Sequence, residues 1–198
     1  NFANAKTNQI GLDPYCNLTF DEAYSLEDSN INFIEIKFDK YRKWVKNSLN
    51  IIKLNTNYIP STFKKNYSGN LFVQYKNGLE CNFKINVRPH GDWKDHINFQ
   101  NGKIIQSLDI KLIDGNIFGI TEFKLFLPET RNFENEIIFT NIIREIGYLA
   151  PRTFFTQVNV NDVTKQMIFQ EKITKEFLEF NNLLEGPIYS GDERFVFK

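Results

Sequence analysis

The feature that most constrains this chain is Asn77-Gly78 set between two alternating apolar runs, residues 71–76 and 79–87. Asn-Gly places two residues at positive φ cheaply, the requirement of a type I′ turn, whose twist matches that of the strands it joins. An antiparallel hairpin is therefore fixed at the centre of the sequence, and the remaining elements are read outward from it.

Before the hairpin, Ile34, Ile36 and Phe38 alternate with polar residues, which predicts a strand. Asp39 then offers an N-cap for a helix over about 40–53, with Tyr41, Trp44, Val45, Leu49 and Ile52 near one face. Residues 55–66 are polar, contain Pro60 and read as a loop. After the hairpin comes the polar stretch Arg88-Pro89-His90-Gly91-Asp92-Trp93-Lys94-Asp95-His96. Strands are predicted at 104–113 and 122–127, the second closed by Pro128. A helix over about 133–146, carrying Ile137, Ile138 and Ile142, stops at Gly147, a C′ glycine. Strands at 152–160 and 165–170 form a second hairpin across Asn161-Asp162, and a last helix spans about 174–184. The order strand, helix, hairpin, strands, helix, hairpin, helix predicts an α+β fold: a mostly antiparallel sheet with helices packed on one face. The domain reading is an extended arm at 1–32, one folded unit at 33–186 and a tail at 187–198.

Composition bounds the function. Among 198 residues, 24 basic and 24 acidic side chains cancel, so no global charge favours nucleic acid or an anionic membrane. Twenty Phe, eight Tyr and two Trp supply a core. No apolar run reaches the ~18 residues that a membrane-spanning helix needs. Abundant Asn, Ile, Lys and Phe with scarce Ala is the signature of low-GC coding. The first residue is Asn1 and the single Met is Met167, which predicts a processed chain or a fragment. Cys16 and Cys81 either pair across a long loop, as in an exported protein, or remain two thiols. With only His90 and His96 and no Cys-x-x-Cys spacing, a structural zinc site is not expected.

Candidate chemistry concentrates in three places. Residues 88–96 hold two basic groups, two histidines and two carboxylates at a strand exit. Arg88 and the amides around Gly91 can hold a phosphate, with Asp92 or Asp95 orienting a metal or hydroxyl. The alternative is a solvated loop in which Asp92, Asp95 and Lys94 pair with neighbours and Trp93 folds inward. Lys111 follows Ser107-Leu108-Asp109-Ile110, and alternation puts it on the face of Asp109 and Ser107, away from Leu108, Ile110 and Leu112. A strand lysine beside a carboxylate is one way to grip nucleotide phosphates, and also what a half-exposed strand looks like. Glu171, at the end of a strand, either faces a ligand or decorates the following helix. No Gly-x-Gly-x-x-Gly, Walker or Gly-x-Ser-x-Gly motif is present, and no residue set supports a glycan or peptide hydrolase.

Taken in order, four segments resemble the CotH family of spore-coat-type atypical protein kinases. They are Val87-Arg88-Pro89-His90-Gly91-Asp92, Gln106-Ser107-Leu108-Asp109-Ile110-Lys111-Leu112, Arg144-Glu145-Ile146-Gly147-Tyr148-Leu149-Ala150-Pro151-Arg152-Thr153, and Phe169-Gln170-Glu171-Lys172-Ile173. The opening Ile34-Glu35-Ile36 and Trp44 are similar too. The resemblance implies a kinase-N-lobe-like unit that binds ATP with Mg or Mn through Arg88, Lys111 and Glu171 and passes phosphate to a protein substrate. His90, Asp92 and Gln106 depart from the family's Arg, Asn and Lys, and Asn161-Asp162 from its Asn-Gly. The family's catalytic and metal-binding Asp residues lie after the Glu-Lys segment, where this chain has only residues 172–198, with Asp192 and Glu193 in the tail. The expectation is therefore an ATP-binding portion that is inactive alone, with no catalytic and no metal-ligating residue assigned. The rival is a non-catalytic binding or structural module of an exported or cell-envelope protein.

Overall fold

The computed structural model describes residues 31–76, 78–100 and 102–188. Of the arm expected at 1–32, all but Ile31 and Asn32, which open the first strand, lies outside them, as do Cys16, Asn77 and the tail carboxylates Asp192 and Glu193. Among the described residues, nine strands and three α-helices run β1 (Ile31–Phe38), α1 (Tyr41–Ile52), β2 (Tyr67–Tyr75), β3 (Glu80–Pro89), β4 (Ile97–Gln100), β5 (Lys103–Gln106), β6 (Leu108–Leu112), β7 (Glu122–Phe126), α2 (Asn135–Glu145), β8 (Thr153–Val160), β9 (Val163–Glu171) and α3 (Lys175–Phe180).

Seven strands close into a barrel in the order β1-β2-β3-β6-β7-β9-β8, and β4-β5 form a separate two-stranded ribbon. This overturns the expected α+β, kinase-N-lobe-like sheet with helices on one face. The closing contact is the parallel pairing of β1 with β8, from Phe33 opposite Gln157 to Ile36 opposite Val160. Every other pair in the barrel is antiparallel. A one-sided open sheet and a filled barrel share the same apolar alternation, so only the non-local β1–β8 pairing tells them apart.

Local expectations hold better. Ile34, Ile36 and Phe38 are buried, as are Cys81, Phe83, Ile85 and Val87 on the other arm of the central hairpin. Tyr67 to Gln74 of β2 pair with Val87 to Glu80 of β3. Trp44 of α1 enters the core and lies 4.9 Å from Phe38, ring to ring. Phe169 stacks between Phe123 and Phe154 at 4.4 and 4.7 Å. Gly147 has φ 86° and its amide donates to the Arg144 carbonyl at 2.9 Å, which ends α2 as its sequence position implies.

The strand expected over 104–113 is two strands broken at Ser107. That residue is fully buried rather than on the face of Lys111. Its Oγ accepts from the Leu127 amide at 3.0 Å and pairs with His96 Nδ1 at 3.0 Å. β4, unforeseen in the sequence, covers this kink by pairing with β5. Cys81 is disulfide-bonded, and the other half of that bond lies outside the described residues. Among the described residues no helix is long and apolar enough to cross a membrane.

Candidate functional site

Strand parity sends one set of side chains into the barrel and the other outward. On β3, β6 and β7 the inward set is Ile85, Val87, Leu108, Ile110, Leu112, Phe123 and Leu125, all buried. The outward set is Asn86, Arg88, Asp109, Lys111, Glu122 and Lys124. Register aligns the outward residues in two rows. Asn86 lies opposite Lys111 and Lys111 opposite Glu122. One step along, Arg88 lies opposite Asp109 and Asp109 opposite Lys124. Polar residues that are scattered in sequence therefore become neighbours on the barrel wall.

Together with Asn66 and Lys172, the residues of these rows other than Lys124 line an open groove of about 300 Å³. Its charged groups form one continuous chain. Arg88 donates twice to Asp109 Oδ2, from Nε at 3.1 Å and Nη2 at 2.8 Å. Lys172 Nζ bridges Asp109 Oδ1 at 3.3 Å and Glu122 Oε2 at 2.7 Å. Lys111 Nζ donates to Glu122 Oε1 at 2.8 Å. Burial pushes the Glu122 carboxyl up, but the hydrogen bonds from Lys111 and Lys172 outweigh it and hold the group below the usual carboxylate range. The hydrogen bond to Glu122 in turn raises the Lys111 ammonium. At the groove's edge, burial lowers the Lys124 ammonium. Arg131, Lys172 and Arg88 push it the same way, and Asp109 opposes them.

The structure thus brings together two of the three residues singled out from the sequence. Arg88 and Lys111 share the groove, but Glu171 does not. Glu171 has the inward parity of Phe169, is 4% exposed, and is held by Arg152 at the end of the barrel. Its neighbour Lys172 occupies the position expected of Glu171. Parity alone separates the two: adjacent residues on a strand face opposite sides.

The segment 88–96 divides. Asp92 pairs with Lys64, and Lys94 Nζ donates to the Ile52 carbonyl at 3.0 Å, as a solvated loop would have it. Trp93 does not fold inward; it is 57% exposed and meets Tyr58 edge-on at 6.2 Å. His90 and His96 pack edge to face at 5.7 Å. Burial drives the His90 imidazole down to about 3 and lowers His96 as well, so both are neutral. Asp109 and Glu122 are the groove's two carboxylates, and among the described residues no group of three His, Cys, Asp or Glu is placed to hold a metal ion.

Compared with known protein families and with curated proteins, the chain matches none. What the geometry defines is a filled β-barrel whose outer wall carries a polar groove with three cations and two carboxylates.

Proposed function

We propose that this chain is a non-catalytic binding module that takes a phosphate-bearing ligand, a nucleotide such as ATP or another phosphate ester, in the Arg88–Lys111–Lys172 groove. The observation that carries this reading is the convergence of those three cations, from β3, β6 and the end of β9, on one open groove. Arg88 and Lys111 are 51% and 62% exposed in their side chains. Ion pairs of that kind stabilise by only ~0–1 kcal/mol. A phosphate can therefore replace Glu122 as the partner of Lys111 at small cost, whereas Asp109, only 7% exposed, keeps its two bonds from Arg88 and the guanidinium's remaining donors face the ligand. The disulfide at Cys81 supports an exported or cell-envelope setting.

The test is the melting temperature of the full chain with ATP, and separately with inorganic phosphate, with and without Mg²⁺ or Mn²⁺. A ligand at 100 times its Kd stabilises by about 2.7 kcal/mol. The expected result is an upward shift that Lys111→Ala and Lys172→Ala each abolish; no shift at millimolar ligand overturns the reading.

A second reading, the ATP-binding portion of a CotH-like Ser/Thr kinase incomplete in this chain, draws support from one observation. Two of the residues carried by that resemblance, Arg88 and Lys111, lie two residues apart in register on paired strands and on the same face. It predicts Mg-dependent or Mn-dependent ATP binding in preference to phosphate alone, and ATP-dependent labelling of a protein substrate once any missing catalytic residues are supplied.

A further inference from the structure

The less exposed side of helix α2 is mixed, formed by Glu136, Ile137, Thr140 and Ile143. Glu136 accepts from Gln170 Nε2 of β9 at 2.7 Å, and Thr140 is buried with its hydroxyl donating to the helix's own Glu136 carbonyl at 2.9 Å. Its other large apolar side chains are left in water: Ile138 is 53% exposed, Phe139 65%, Ile142 52% and Ile146 61%, and the patch continues into Tyr148 at 69% and Leu149 at 50%. A lone amphipathic helix gains its stability by burying that stripe, so this arrangement implies a partner surface.

From these residues we infer that α2 is a self-association surface, pairing with α2 of a second copy of this chain. Three arguments select that occupant. The six side chains together expose on the order of 700 Å² by typical residue areas. That exceeds the ~300–600 Å² of the largest patch on an ordinary monomer and approaches the ~800 Å² each partner buries in a standard interface. Ile138, Ile142 and Ile146 form an unbroken ridge at i, i+4 and i+8. Two identical ridges of this kind interdigitate at a crossing of about −50°, so a two-fold axis through the ridge makes the surface its own complement. The flanks carry Glu134 and Glu145 against Arg131 and Arg144, since Glu136 faces the barrel and Glu129 is paired with Lys165. That balance offers no basic rim, which an anionic lipid surface wants. An antiparallel crossing also sets the acidic first turn of one helix beside the opposite end of the other, opposing the two helix dipoles.

The test is sedimentation velocity of the full chain from about 1 to 100 μM, in wild type and in Ile142→Glu, with thermal melts to show that the exposed substitution leaves folding intact. The expected result is a concentration-dependent dimer whose Kd weakens at least ~30-fold in Ile142→Glu, the loss typical of a hot-spot residue. Ile142→Cys, oxidised and run without reductant, should add a cross-linked dimer absent from the wild type, because the axis passes close to that position. A monomer throughout the range overturns the inference and leaves the face to a different protein. So does a dimer that Ile142→Glu leaves intact, or a monomer that instead binds anionic vesicles.

Discussion

Arg152 and Glu171 face each other at one mouth of the barrel, Arg152 just before β8 and Glu171 at the end of β9. Arg152 donates from Nε to Glu171 Oε2 at 2.8 Å and from Nη2 to Oε1 at 2.7 Å, a two-pronged match of fork to carboxylate. Its third prong reaches the Phe118 carbonyl at 2.8 Å, and its guanidinium lies 3.7 Å from the centre of the Phe180 ring in α3. Both side chains are almost inaccessible, at 3% and 2%. The pair is thus buried among Phe118, Phe180 and the end of β9.

Removing one member leaves the other charged and buried, which typically costs ~3–5 kcal/mol. Glu171→Ala is expected to lower unfolding stability by about that amount in urea titrations. The double variant Arg152→Met/Glu171→Leu, which removes both charges and keeps the volume, should lose markedly less. A Glu171→Ala protein as stable as wild type would contradict the buried-pair assignment. Because Glu171 points inward, its folded fraction should keep whatever stabilisation ATP or phosphate gives.

Acidification is expected to destabilise the protein well before its carboxylates titrate. His90 packs at 5.1 Å against Phe126 and sits among Lys124, Arg131, His96 and Asp109, with burial holding its pKa at about 3. Unfolded, an imidazole protonates near pH 6.5. Between those values the unfolded state holds a proton that the folded state refuses, so falling pH favours unfolding. Stability should decline as pH drops from about 6.5 toward 3, and His96, lowered by the same burial, adds to the slope. His90→Phe removes one of the two titrations. Urea midpoints measured from pH 7 to 4 should therefore fall less steeply in that variant, and identical slopes would show that His90 contributes nothing.

Gly91 answers to both backbone and space. Its φ is 97°, and a Cβ built there would lie 2.0 Å from His96 Cδ2. Gly91→Ala combines left-handed strain of roughly 1–2 kcal/mol with displacement of a buried ring that bonds Ser107. A loss of ~2 kcal/mol or more is expected in the urea midpoint, together with changed chemical shifts at His96. The sequence offers this glycine's amides to a phosphate, whereas in the structure its Cα face is closed by the His96 ring.

What could be read in advance follows the range of the interaction. The central hairpin, the inward Ile34, Ile36 and Phe38, the Asn161-Asp162 turn with φ of 45° and 69°, and the Gly147 stop are set by neighbours in sequence, and each was legible. Barrel closure depends on β1 meeting β8 more than 120 residues later, and nothing in the alternation of either strand encodes it. The groove lies between these extremes. The outward parity of Lys111 and Asp109 was readable, but their meeting with Arg88, Glu122 and Lys172 waits on register across four strands. Glu171, which the resemblance implies for ligand binding, lies instead against Arg152 at the end of the barrel, a contact set by the pairing of β8 with β9.

The groove and the barrel mouth should respond oppositely to mutation. Lys111 is 62% exposed at its side chain and bonds one carboxylate, itself shared with Lys172. Lys111→Ala leaves Glu122 paired with Lys172, so the expected loss of stability is under ~1 kcal/mol, the range of surface ion pairs. Lys172→Ala frees parts of both Asp109 and Glu122 and should cost somewhat more, still well short of Glu171→Ala. Raising NaCl from 0.05 to 1 M shortens the screening length from roughly 14 Å to about 3 Å. It should narrow the gap between wild type and either lysine variant while barely moving the gap to Glu171→Ala, whose partner is shielded from solvent. Urea midpoints of the four proteins at the two salt concentrations check this. A Lys111→Ala penalty as large and as salt-insensitive as that of Glu171→Ala would mean the groove charges hold the fold rather than stand open to a ligand.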